Sequence, residues 1–147
     1  MVTSAQRPRI VGEPIPDGIA DNRQRIRKRG GFVAIEIATV MSLVGIVLIL
    51  LPGALFGAVG YLIVNAGIPA LALAGVPAIS EASRIVVAIV ISAVLWWTVG
   101  YFAAVRASRR PIVDWSEWRK EFQPIAIGVW VGTILALGVA AFVLGAL

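Results

Sequence analysis

The chain has 147 residues, 59% of them hydrophobic and 14% charged, with a net charge of +5 and a mean hydropathy of +0.92. A soluble domain of this size is about 25% charged, and here the charges are also segregated: none lies between Ile85 and Val105 or beyond Gln123. Cysteine and histidine are both missing, which excludes disulfides and thiol chemistry and removes the usual general base, metal ligand and pH switch.

The first segment, residues 1–31, is read as a basic, mobile tail. It is rich in proline and charge, has little to bury, and precedes an apolar run too long for a signal-peptide core. "RQRIRKR", Arg23 to Arg29, places five cations in seven positions. It lacks interleaved aromatics that could stack on bases, so nucleic acid is not expected. A topology signal that touches anionic lipid headgroups fits better. Residues 32–147 are expected to form a helical membrane domain.

"FVAIEIATVMSLVGIVLILL", Phe32 to Leu51, reads as a membrane span closed by Pro52-Gly53. Glu36 is the one formal charge between Phe32 and Ser80. An intramembrane carboxylate is a functional candidate by default, but Glu36 lies near the end of the span, where it can snorkel or pair with Arg29. Ala34, Ala38 and Ser42 form a small-residue ladder that suits close helix packing, and Gly53-Gly57 a shorter one.

"ALFGAVGYLIVNAGIPALALAGVPAI", Ala54 to Ile79, is long enough to cross but is interrupted at Asn65–Pro69 and again at "AGVP". Gly67 suits a helix C-terminus and Pro69 the first position of a new helix. Positive charge favours an entry and return over a full crossing. Seven Lys/Arg precede Phe32, one lies at Arg84, and five fall between Arg106 and Lys120. A returning segment puts the seven and the five on one side, as the positive-inside rule prefers. Asn65 is the second intramembrane polar candidate. It can cap a broken helix or line a polar path, as half-helix ends do in carriers and channels.

Ser83 to about Ala104 reads as a further span, with Ser80 as cap and Glu81 favouring its start. Trp96, Trp97 and Tyr101 within it, and Trp130 later, are read as packing or belt aromatics. "RASRRPIVDWSEWRKEFQP" follows. Asp114 and Glu117 fit a capping box opening a short amphipathic helix at about 114–122. Trp115, Trp118 and Phe122 would share one face, beside Arg119 and Lys120, forming an interfacial anchor. The last span runs from Pro124 to about Leu144. It carries the best small-residue ladder: Gly128, Gly132, Ala136 and Ala140.

The sequence therefore predicts an all-α, multi-pass integral membrane protein with a cytoplasmic N-terminus. It has three transmembrane helices plus a broken, re-entrant segment, or alternatively a four-helix membrane bundle. Eleven Ser/Thr residues are scattered without a base, and no acidic pair has metal-ligand spacing, so neither an enzyme nor a cofactor is expected. The expected function is a non-catalytic subunit that packs with other membrane proteins or with itself, in an accessory, assembly or scaffold role. The alternative is a small oligomeric channel or carrier using Glu36 and the Asn65–Pro69 break.

Overall fold

The computed structural model describes residues 18–73, 81–110 and 113–143. All regular structure among them is helical: α1 (Ile19–Leu50), α2 (Ala54–Gly67), α3 (Ala70–Leu73), α4 (Ala82–Ala107) and α5 (Trp115–Val143). Three of these, α1, α4 and α5, are long and apolar enough to cross a membrane, whereas α2 is a shorter apolar helix. At about 1.5 Å per residue the 14 residues of α2 extend about 21 Å, short of the ~30 Å hydrocarbon core.

Small residues set the geometry. Between α1 and α4, an added Cβ at Gly100 would collide with the Gly30 carbonyl oxygen and lie 2.6 Å from Ala34 Cβ. One at Gly30 would lie 2.7 Å from Ala104 Cβ. Between α1 and α2, Gly45 and Gly60 face each other, each hypothetical Cβ falling 2.6–2.8 Å from the other's carbonyl oxygen. Backbones this close exclude any side chain at the crossing, as in small-residue contacts of membrane helices generally. Gly53, with φ of 120°, turns α1 into α2 in a conformation open to glycine.

These contacts also fix direction. Gly30 meets the C-terminal part of α4, while Ile46 lines one cleft with Ile89 near its start, so α1 and α4 are antiparallel. The N-terminus of α4 thus lies at the same end of the bundle as the Pro52-Gly53 turn. At the other end, Arg23 Nη2 of α1 donates to the Arg110 carbonyl oxygen at 3.3 Å. The two basic segments therefore meet.

Two boundaries differ from expectation. The helix begins at Ile19, not Phe32, so residues 19–31 of the expected tail are helical. Ile26, the apolar member of the basic run, is 1% exposed and belongs to the main core cluster with Ala103, Ala104, Ala107, Val113, Trp118 and Phe122. Its burial supplies the packing that the cations alone lack, and Arg, Gln and Lys are good helix formers. The second correction concerns α5, which is continuous from Trp115 to Val143 with Pro124 inside it. The expected separate helix at 114–122 is its first turns. Pro124 removes only the bond to the Lys120 carbonyl, and flanking packing by Phe122 and Ala126, both buried, holds the helix through it. Ser80, the expected cap of α4, and the "AGVP" stop lie outside the described residues; Glu81 occupies the N-cap position without a side-chain capping bond.

Candidate functional site: the half-helix break and the open face of α5

The break between α2 and α3 falls where the sequence places it, at Ile68-Pro69. A helix end in an apolar interior leaves carbonyl and amide groups to be satisfied, and here α4 supplies partners. Trp96 Nε1 donates to the Gly67 carbonyl at 2.8 Å, and the Ala70 amide donates to Ser92 Oγ at 3.1 Å. The Ile68 amide bonds to the Val64 carbonyl at 2.7 Å. Gly67 is pressed so closely on α1 that an added Cβ would clash with Ser42 Oγ and lie 2.6 Å from the Ala38 carbonyl oxygen. Ala34, Ala38 and Ser42, the ladder of the first span, are all buried. Beside the break, a cleft of about 240 Å³ is lined by Ile35, Thr39, Ser42, Ser92 and Trp96 among others. Its hydroxyls are engaged: Thr39 and Ser42 donate to the Ile35 and Ala38 carbonyls, each at 2.8 Å.

Asn65 is 1% exposed, and its Nδ2 donates to the Tyr61 carbonyl at 2.9 Å. Among the described residues its Oδ1 is buried without a partner, as is Trp130 Nε1. Glu36 is exposed on α1 and makes no ion pair or hydrogen bond among the described residues. The pairing with Arg29 is not formed.

The aromatic group at the start of α5 divides. Trp118 and Phe122 are buried, their rings stacked at 4.7 Å, and Trp118 Nε1 donates to the Gly100 carbonyl at 3.1 Å. Phe122 also meets Trp96 at 6.0 Å. These two side chains wedge α5 onto α4 rather than facing outward. Trp115, 39% exposed, stands edge-on to Trp118, and Arg119 and Lys120 are exposed. Half of the expected capping box forms. Asp114 Oδ1 accepts from the Ser116 amide, a bond that holds its carboxyl below the usual range. Glu117 does not reach back; it accepts from Arg110 at 2.5 Å and Lys120 at 2.6 Å, while Glu121 accepts from Arg110 at 2.6 Å. Arg110 thus ties the α4–α5 connection together, a link that spans sequence positions no local motif joins.

The ladder on α5 is open among the described residues. Gly128, Gly132, Ala136 and Ala140 are exposed, and an added Cβ at Gly128 or Gly132 would have no neighbour within 4 Å. Gly57, of the shorter ladder, is equally open. No protein-family model matches the chain, and no curated protein or solved structure matches it either.

Proposed function

We propose that the chain is a non-catalytic subunit of a cell membrane that packs against partner membrane proteins, in an accessory, assembly or scaffold role. The carrying observation is a contrast between glycines. Gly30, Gly31, Gly45, Gly60, Gly67 and Gly100 all sit at contacts too tight for a Cβ, whereas Gly128 and Gly132 on α5 face open space. Close packing is what such residues offer in a bilayer, where helix association relies on van der Waals fit. The ladder of Gly128, Gly132, Ala136 and Ala140 is the face left for a partner helix or a second copy.

Contacts between the basic segments support a topology as well. With Arg23 beside Arg110, the start of α1 and the 106–120 segment share one side, and ten of the eleven Lys/Arg among the described residues lie there. The positive-inside rule makes that side cytoplasmic, N-terminus included, and anionic headgroups its natural neighbours. From the opposite face α2 enters, breaks at Ile68-Pro69 and returns through α3 as a re-entrant segment. Its freed backbone groups are satisfied by Trp96 and Ser92, which suits a structural plug better than a conduit. A carrier reading finds support in Asn65 Oδ1 and Glu36, both without a partner among the described residues.

The test is Gly132→Leu. In mild detergent it should abolish co-purification or self-association while leaving helicity and unfolding resistance of the isolated chain unchanged. Association that survives Gly132→Leu would remove the packing role of α5.

A further inference from the structure

The basic end of the bundle holds a groove of about 420 Å³ between α4 and α5, lined by Val99, Phe102, Val105, Arg106, Arg109 and Ile125. Val99, Phe102 and Arg106 recur at spacings of three and four, so they form one stripe along α4, and Arg109 lines the groove from the turn just beyond the helix end. The stripe changes from apolar to cationic toward the helix end. Phe102 is 57% exposed and both arginines are exposed. Of the carboxylates that follow in the chain, Asp114 accepts from the Ser116 amide, Arg110 holds Glu117 and Glu121, and Lys120 also holds Glu117. Arg106 and Arg109 pair with no carboxylate among the described residues.

We propose that this groove binds one acidic phospholipid, its phosphate on Arg106 and Arg109 and an acyl chain along Val99, Phe102 and Ile125. An acyl chain alone would need only the apolar wall, and a soluble anion only the arginines. The groove offers both in the order in which a phospholipid presents them. Guanidinium groups suit phosphate oxygens, since each can donate two parallel hydrogen bonds. A zwitterionic headgroup would bring its own cation to the same pair and bind less well. The site rests on the proposed topology only in that an acidic leaflet would supply the lipid.

The test uses the purified full chain in mixed micelles containing phosphatidylglycerol or phosphatidylcholine at equal mole fraction, with retained lipid counted by native mass spectrometry. Phosphatidylglycerol should be retained preferentially. The R106Q/R109Q double variant should weaken that retention about tenfold or more, whereas R119Q/K120Q, with equal charge loss outside the groove, should change it less than about twofold. R106K/R109K, which keeps the charge but not the forked donors, should fall between. Glycerol phosphate should not displace the lipid. Equal loss in both glutamine double variants, no preference between the two lipids, or full competition by glycerol phosphate would each overturn the site. A wrong topology would show in labelling from the two membrane faces and leave lipid selectivity in micelles intact.

Discussion

Replacing Trp96 by phenylalanine removes one hydrogen-bond donor from the middle of the bundle while keeping an aromatic ring against Phe122. Trp96 is 2% exposed, and its Nε1 lies 2.8 Å from the Gly67 carbonyl, one of the groups left over where α2 ends. Without that donor the carbonyl is stranded in an apolar environment, at a cost of about 1–3 kcal/mol. Loss of part of the indole adds a small void worth about 1 kcal/mol. The total expected destabilisation is about 2–4 kcal/mol. Trp97→Phe is the control. That neighbour is 41% exposed, stacks on Tyr101 at 5.3 Å and has no hydrogen bond among the described residues, so its replacement should cost less than about 1 kcal/mol. Unfolding in mixed micelles by increasing the denaturing detergent measures both. Amide exchange at Ala70 should accelerate in Trp96→Phe, because freeing the Gly67 end loosens the turn that Ser92 holds. Equal stability of the two variants would refute the claim that α4 stitches the broken helix.

Three further outcomes follow from the same geometry. Gly100→Ala should destabilise by about 1–3 kcal/mol through overpacking, since its Cβ would lie 2.6 Å from Ala34 Cβ; stability unchanged in micelle unfolding would contradict the crossing. In this cysteine-free chain, Glu81→Cys should react with an impermeant thiol reagent from outside intact cells and Ser108→Cys should not; external labelling at 108 would replace the re-entrant topology with four crossings. Glu36→Gln should leave complex assembly intact and produce no change in ion flux in proteoliposomes, whereas flux through the purified protein that Glu36→Gln abolishes would favour the carrier.

Much of the architecture was legible because the bilayer leaves few choices. Apolar length marked α1, α4 and α5, and Gly67 with Pro69 marked the break, since backbone chemistry makes both residues poor continuations of a helix. The start of α1 was not legible. "RQRIRKR" reads as charge, and the decisive residue, Ile26, is buried in one cluster with Val113 and Ala107, which lie far away in sequence. Trp118 and Phe122 were misread for a related reason. An aromatic stripe beside Arg119 and Lys120 has the same pattern whether it faces headgroups or a neighbouring helix, and only Gly30 of α1, where an added Cβ would lie 2.8 Å from Trp118 Nε1, makes room for the indole. Small-residue ladders share this ambiguity: Ala34, Ala38 and Ser42 have the spacing of Gly128, Gly132, Ala136 and Ala140, yet the first is buried and the second open. Tertiary contact, not periodicity, separates them.

The most direct test of the packing role is photo-crosslinking in native membranes from two positions on α5. Ala136 lies in the open ladder, and Ile134, 53% exposed, projects about half a turn away from it. A diazirine amino acid at 136 should give one discrete protein adduct, either a partner or a second copy, that Gly132→Leu abolishes. The same probe at 134 should give mainly lipid adducts. Lipid adducts alone from both positions would contradict the account, because the ladder would then face only the bilayer.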